Sequence, residues 1–138
     1  MPPGGQTPPQ RGLPPDSGKS YRDLEVWQSS MDLAVDCYNL AKDIPEGEND
    51  TLAGQLQRIA SSIPATIAKG QATQNPKEFF NHLSMANGSV AELETYLQIA
   101  ERLDSIDANR IKQLKKKAEA ISSSIRNMQK PFADKIQH

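Results

Sequence analysis

The 138-residue sequence has a single cysteine and no long run of apolar residues. One cysteine cannot form an intrachain disulfide or supply a CxxC zinc or redox pair. No apolar stretch approaches the ~20 residues that a membrane-spanning helix needs. The first residues are rich in proline and glycine and lack the apolar centre of a secretory signal. We therefore expect a cytoplasmic protein with no membrane partner.

Residues for catalysis or metal binding are also scarce. The histidines are His82 and His138, whereas a di-iron bundle needs two Glu-x-x-His pairs and two further carboxylates. The stretch SGKS at 17–20 resembles the end of a phosphate-binding loop, but Leu13 stands where that loop requires glycine. Cys37 has no histidine on its predicted helix to activate it. These absences predict no enzyme, no cofactor, no metal site and no small-molecule substrate.

Composition and charge are unevenly distributed along the chain. Residues 1–19 hold six of the ten prolines and four of the eight glycines. Such a segment buries too little apolar surface to offset the entropy of ordering it. Residues 110–138 carry eight Lys and Arg against two acidic residues, whereas residues 1–109 carry eight against fifteen. We predict a disordered Pro/Gly-rich tail at 1–19 and a basic C-terminal region.

Four segments, 24–41, 52–67, 83–100 and 111–128, repeat apolar residues at spacings of three and four. This spacing places the apolar side chains on one face of a helix. No segment alternates apolar and polar residues, so no strand is expected. In the first segment the residues predicted to face the core are Leu24, Trp27, Met31, Ala34, Tyr38 and Ala41.

Helix-start and helix-stop signals separate these segments. Asn75, Pro76 and Glu78 form a capping signal for the third helix, and Asp107 can cap the fourth. Pro131 is predicted to end the fourth helix.

Because the connections are short, neighbouring helices should run antiparallel. The expected fold is all-α, an antiparallel up-down-up-down four-helix bundle over residues 20–131. It lies between the tail at 1–19 and a C-terminal tail at 132–138.

Pro64 lies inside the second apolar pattern. An interior proline lacks the backbone N–H and clashes with the carbonyl four residues earlier, which costs ~3 kcal/mol. The apolar positions nevertheless keep their phase from Leu56 to Ile67. Burial of several large side chains at ~1.5–3 kcal/mol each can outweigh that cost. We expect one continuous helix, kinked near Ala60–Pro64, with Gly70 close to its C-terminal end.

Three stretches of the sequence carry a family resemblance. They are YRDLEVW at 21–27, SIPATIAKG at 62–70 and MANGSVAELETYL at 85–97. Together they resemble the four-helix bundle proteins encoded in intervening sequences of large-subunit ribosomal RNA genes. The accessory proteins of diversity-generating retroelements are relatives of the same group. The resemblance spans residues 21–131, nearly all of the predicted bundle.

This resemblance implies a homopentamer of bundles. The retroelement relatives bind nucleic acid and partner a reverse transcriptase, which suggests RNA or DNA as a partner here. Two residues depart from the family pattern, because Thr66 stands where Asn is usual and Lys69 where Glu is usual. A specific contact made by those two positions in the family would be altered in this chain.

Small residues and prolines mark where helices can approach closely. Gly88 and Ser89 interrupt the third helix, as Pro64 interrupts the second. The candidate residues for tight helix contacts or contacts between subunits are Arg58, Ser62, Pro64, Lys69, Gly70, Gly88 and Ser89. Contacts within one chain, contacts between subunits, and ordinary packing with no role in assembly are all open interpretations.

The fourth helix is the most basic part of the chain. At about 100° per residue, five cations project away from the apolar face centred on Leu114 and Ala118. These candidate nucleic-acid-binding residues are Lys112, Lys115, Lys116, Arg126 and Lys130. Because no aromatic residues are interleaved, binding would follow the phosphate backbone.

The predicted function is a non-enzymatic, homo-oligomeric accessory protein that contacts RNA or DNA through the fourth helix. Two alternatives stay open. The basic residues can form an ordinary solvated outer face, and the protein can be an interaction scaffold that binds no nucleic acid.

Overall fold

The computed structural model of the protein describes residues 20–45, 50–104 and 106–137. A 3₁₀ turn at Tyr21–Asp23 precedes four helices, α1 (Glu25–Lys42), α2 (Asp50–Ala72), α3 (Pro76–Leu103) and α4 (Ala108–Gln137). No strand occurs in the described ranges, and the predicted all-α four-helix fold is confirmed. None of the helices in this part of the chain is long and apolar enough to cross a membrane. The tail predicted at 1–19 lies outside the described residues.

Each helix packs on its neighbours along the chain, α1 also packs on α4, and three contacts bear on the helix directions. Gly70, near the end of α2, lies against the start of α3. The Gln129 Nε2 atom, near the end of α4, donates to the Ser84 hydroxyl, near the start of α3, at 2.7 Å. The Arg110 guanidinium at the start of α4 donates to Asp43, just after α1, at 2.6 Å. These contacts are the ones that antiparallel neighbours would make, and the antiparallel arrangement stays a prediction.

The apolar faces of α2, α3 and α4 form the core, as predicted. In α2, the side chains of Leu56, Ile59, Ile63 and Ile67 are all 0% exposed. A side chain of this size contributes ~1.5–3 kcal/mol when it is fully buried. This burial explains why α2 continues through Pro64, and the predicted continuity of the helix is confirmed. The kink near Ala60–Pro64 stays a prediction.

Helix α1 is rotated relative to its predicted orientation. Its buried residues are Val26, Ser30, Leu33, Ala34, Cys37, Leu40 and Ala41. Met31 and Tyr38, which were predicted to face the core, are 38% and 42% exposed, and Trp27 is half-buried. The prediction was wrong for Met31 and Tyr38 because α1 carries two overlapping apolar stripes, whereas Trp27 does pack against the core. Both stripes have helical spacing, and spacing alone does not show which one packs inward.

The predicted starts of α3 and α4 are confirmed. The Asn75 side chain accepts a hydrogen bond from the Glu78 N–H at 3.1 Å. The Asp107 carboxylate accepts one from the Asn109 N–H at 3.0 Å. Each bond satisfies a backbone donor that has no partner inside its helix.

The predicted end of α4 at Pro131 is wrong. The helix continues through this proline to Gln137, so the segment 132–138, expected to be a tail, begins inside α4. Phe132 is 7% exposed, and its ring meets the Phe79 ring edge-to-face with centroids 5.9 Å apart. Burial of this aromatic side chain offsets the hydrogen bond that the proline removes.

Candidate functional site

A groove of about 620 Å³ runs between α1 and α2. Its α1 wall carries the large side chains of Trp27, Met31, Val35 and Tyr38. Its α2 wall carries the compact side chains of Ser61, Pro64, Ala65 and Ala68. Because the side chains on the α2 side are short, another helix can approach the backbone of α2 closely and pack against the large apolar side chains of α1.

The α1 wall of this groove is apolar and open to solvent. Met31, Val35 and Tyr38 are 38%, 55% and 42% exposed. They belong to the second apolar stripe of α1, beside the stripe that packs into the core. Contiguous exposed apolar side chains of this kind mark interaction surfaces in soluble proteins. Sequence reasoning missed this site because it assigned Met31 and Tyr38 to the core.

Pro64 and Ser61 make the α2 wall weakly polar. Pro64 has no backbone N–H, so it adds no hydrogen-bond donor to this wall. The Ser61 hydroxyl donates to the carbonyl of Gln57 at 2.9 Å, which turns it back onto its own helix. The candidate contact residue Ser62 is partnered in the same way, because its hydroxyl donates to the carbonyl of Ile59 at 2.6 Å. The wall therefore offers shape more than hydrogen bonds to an approaching surface.

The N-terminal 3₁₀ turn packs at one end of the groove. The rings of Tyr21 and Trp27 meet edge-to-face with centroids 5.2 Å apart. The Gln28 Nε2 atom donates to the carbonyl of Arg22 at 2.8 Å, which holds the turn against α1. Two of the three family-like stretches, 21–27 and 62–70, therefore meet at this groove although they are distant in the sequence.

Gly70 makes a tight contact within the chain. A Cβ atom at this position would lie 2.5 Å from the Cβ of His82 and 3.4 Å from the Phe79 ring. Glycine lets α2 and α3 approach here because it has no side chain. The Nδ1 atom of His82 lies 2.8 Å from the carbonyl oxygen of Glu78, so this imidazole is part of the same contact.

Gly88 has no such neighbour. It lies on the exposed face of α3, and a Cβ atom there would meet no atom within 4 Å. Of the open interpretations of Gly88, a tight contact within the described part of the chain is not supported, and a contact between subunits stays a prediction. An interior helical glycine costs ~1 kcal/mol relative to alanine. Nothing that surrounds Gly88 in this chain compensates for that cost.

The remaining contact candidates lie at or near the surface. Arg58 donates to Gln55 at 2.7 Å and lies 3.6 Å from the Glu92 carboxylate on α3. Lys69 is exposed and Ser89 is half-buried. The structure gives these residues ordinary positions on α2 and α3, and their roles in assembly stay predictions.

The outer face of α4 carries four of the five predicted cations. These exposed residues are Lys112, Lys116, Arg126 and Lys130. The Arg126 guanidinium also donates to the Ser122 hydroxyl at 2.6 Å. Over the 18 residues from Lys112 to Lys130 the face is ~27 Å long, and it also includes the exposed Glu119.

Lys115 faces α3 and not the outer surface. Its ammonium group is half-buried and donates to the Glu101 carboxylate at 2.9 Å and to the side-chain oxygen of Gln98. The hydrogen bond from Lys115 and its charge lower the pKa of Glu101. The predicted outward orientation of Lys115 is wrong. This residue lies at the boundary between the buried and the exposed face of α4, where a long side chain reaches α3.

Two further cations of α4 pair with acidic residues of the α1 region. Lys117 pairs with Asp36, and Arg110 pairs with Asp43 at 2.6 Å. Both pairs are partly exposed, so each contributes ~0–1 kcal/mol to stability. Neither Lys117 nor Arg110 was a predicted nucleic-acid-binding residue, so these two pairs leave the candidate set unchanged. Of the five predicted cations, Lys115 is the one that pairs with a described acidic side chain of another helix.

The described part of the chain contains no cluster of three His, Cys, Asp or Glu side chains that could hold a metal ion. Cys37 is 0% exposed in the core. Burial, reinforced by the nearby Asp36 charge, raises the pKa of its thiol to about 12. The thiol is therefore protonated at neutral pH and packs as a small apolar side chain.

Comparisons with known proteins agree with this architecture. Residues 22–127 match the family described as 23S rRNA-intervening sequence protein. A solved structure of a protein of unknown function from the S23 ribosomal protein family of Bacteroides thetaiotaomicron has a TM-score of 0.71 and 24% identity. The match covers 76% of this chain and 98% of that chain, and at this identity it shows the fold alone. No curated protein matches the sequence.

Proposed function

Because the chain belongs to the 23S rRNA-intervening sequence protein family, we propose that it is a non-enzymatic accessory protein that assembles with copies of itself. The observation that carries this proposal is the open apolar groove between α1 and α2. The family resemblance implies five copies, and we adopt that number as part of the proposal. A second surface, the outer face of α4, supports contact with RNA or DNA.

Self-assembly accounts for the shape of the groove. Small-molecule sites enclose most of their ligand and aim a few polar groups at it. Here the apolar side chains from Trp27 to Tyr38 follow α1 for ~17 Å, and Val35 among them is 55% exposed. An elongated apolar strip beside a wall of short side chains fits a helix from another copy.

The assembly is tested by adding a charge to the groove. Val35→Glu should lower the mass in solution relative to the wild type, because it places a carboxylate in a surface that assembly would desolvate. Ser29→Glu adds the same charge to an exposed position of α1 outside the groove and should leave the mass unchanged. Light scattering measures each mass against the 15.2 kDa chain. A wild-type mass of one chain, or a Val35→Glu protein of undiminished mass, contradicts the proposal.

Nucleic-acid contact is the second part of the proposed function, and the exposed cations Lys112, Lys116, Arg126 and Lys130 support it. Cations that neutralise phosphates release counterions, so binding should weaken steeply as salt rises. In an assembly the four-cation face would be repeated, and repeated weak contacts bind together more strongly than one.

The test uses a fluorescent structured RNA and a DNA duplex of equal length at two salt concentrations. The double variant Lys112→Glu with Lys116→Glu should lose most of the binding. The double variant Lys77→Glu with Arg102→Glu changes the net charge equally on exposed residues of α3 and should retain it. Absence of binding at low salt favours the alternative, an interaction scaffold that does not contact nucleic acid.

A further inference from the structure

The exposed large apolar side chains fall on two surfaces. Within the described residues they are Met31, Val35, Tyr38, Met85, Ile99 and Leu103. The first three line the α1/α2 groove, and the last three lie on α3. Helices α2 and α4 contribute none to this set. The described residues therefore expose apolar side chains in the groove and along α3, and the proposed assembly has to account for both sets.

The three residues of α3 share one face. Met85 and Leu103 are 18 residues apart, which is five turns at ~3.6 residues per turn, and Ile99 lies within a fraction of a turn of them. We call the exposed residues along this face the α3 stripe: Met85, Gly88, Glu92, Thr95, Ile99 and Leu103. The Thr95 hydroxyl donates to the carbonyl of Ala91 at 2.9 Å, so its methyl group is left to face outward.

Gly88 indicates what approaches this stripe. The missing side chain leaves open space on the surface, because apart from the adjacent residues and the backbone of α3 itself, no atom of the described residues lies within 4 Å of the Cβ position. Within the fold this glycine only weakens α3. It allows a close approach if the backbone or side chains of another molecule pack on this part of the helix.

The α3 stripe matches the groove in length and in charge. The stripe from Met85 to Leu103 is ~27 Å long, and the α1 wall from Trp27 to Lys42 is ~22 Å long. Among the described groove-lining residues, Lys42 is the one with a charged side chain. Glu92 of the stripe has the opposite sign, and within its own chain its exposed carboxylate lies 3.6 Å from Arg58.

We infer that the α1/α2 groove of one copy receives the α3 stripe of the next copy. This inference rests on the proposed self-assembly and specifies its geometry. The interface is heterologous, because each copy contributes a different surface to each of its two contacts. Repetition of such a contact closes into a ring or continues as a filament. An interface of groove against groove would instead leave Ile99, Leu103 and the open space at Gly88 uncovered.

The experiment mixes two variants that each lose one surface. Val35→Glu blocks the groove and Ile99→Glu blocks the stripe, and both positions are exposed, so the fold should survive. Each variant alone should have the mass of one chain. An equimolar mixture should form a dimer and nothing larger, because the intact groove of the Ile99→Glu chain can bind the intact stripe of the Val35→Glu chain.

Other masses overturn the inference in distinguishable ways. If Ile99→Glu assembles like the wild type while Val35→Glu does not, the inference fails and self-assembly through the groove stands. If the mass of the mixture stays that of one chain, the groove and the α3 stripe do not bind each other. If the wild type itself is one chain at high concentration, the proposed function fails with the inference.

Disulfide trapping gives a second readout that does not depend on a disruptive charge. Under oxidation, the double variant Val35→Cys with Ile99→Cys should form a covalent ladder longer than two chains. The single variants should give no ladder, and the buried native Cys37 should not contribute. A covalent dimer from Val35→Cys alone would show groove against groove and overturn the inference.

Discussion

Two glycines in the interiors of helices differ in the space around them. One is packed against a neighbouring helix of the same chain, and the other faces open space on the surface. At Gly70 in α2 a Cβ atom would lie 2.5 Å from the Cβ of His82, so the missing side chain is required for α2 and α3 to pack. At Gly88 in α3 a Cβ atom would meet nothing within 4 Å. The first glycine is explained by the fold of one chain. The second has no such contact among the described residues, and the inferred interface would account for it.

The largest expected effect comes from filling the space at Gly70. Gly70→Ala should destabilise the fold by ~1–3 kcal/mol, because the new methyl group must displace His82 or separate the helices. Urea unfolding followed by circular dichroism measures the change in the free energy of unfolding. If the Gly70→Ala protein unfolds at the same urea concentration as the wild type, α2 and α3 accommodate the added methyl group without loss of stability.

Filling the space at Gly88 should have the opposite sign. The comparison uses the Val35→Glu protein, which is expected to be a single chain, so that assembly does not affect its stability. In this protein Gly88→Ala should raise the free energy of unfolding by ~0.4–1 kcal/mol, because alanine restricts the unfolded chain and meets no clash. The same urea titration measures it. Destabilisation would show that Gly88 is needed inside the chain, which would remove the contrast with Gly70.

A smaller effect is expected where charges, and not shape, join two helices. Lys117→Met should destabilise the fold by ~0–1 kcal/mol, because it removes a partly exposed ion pair with Asp36. Lys112→Met on the outer face of α4 is the matched control and should be neutral. A loss well above this range in the urea titration would mean that the pair is protected from solvent.

The smallest expected effect is a pH dependence at the contact between α3 and α4. Lys115 lowers the pKa of Glu101 from its ordinary value of 4.5 in the folded chain. A carboxylate with a lowered folded pKa stabilises the protein above 4.5, and this contribution is lost as the pH falls through the folded pKa. Glu101→Gln should therefore make stability less dependent on pH below 4.5, as measured by urea unfolding at a series of pH values. If the free energy of unfolding depends on pH in the same way for the wild type and Glu101→Gln, the contact between Lys115 and Glu101 does not contribute to stability.

Much of the fold could be predicted because the fullest apolar pattern with helical spacing in α2, α3 and α4 is the one that is buried. In α3 the exposed residues Met85, Ile99 and Leu103 form a second, sparser apolar set that this pattern leaves out. The capping residues Asn75 and Asp107 act on backbone donors two or three residues away, which makes their role local and readable. Prediction failed at Pro131, because the helix beyond it depends on a contact between Phe132 and Phe79 that no local signal contains.

The candidate site was harder to predict because it consists of surfaces that packing leaves open. Helix α1 has two apolar stripes, and only contacts with α2 and α4 decide that Leu33 and Leu40 are buried while Val35 and Tyr38 remain exposed. In the same way, only the position of α3 shows that Lys115 pairs with Glu101 while Lys112 remains on the outer face.

The sequence by itself determined the four helices and their order, because apolar spacing, caps and short loops act over a few residues. The tertiary structure alone decided which stripe of α1 is open, which cations are paired, and which glycine has a neighbour. Those outcomes depend on distances between residues far apart in the chain, and such distances exist only after the helices have packed.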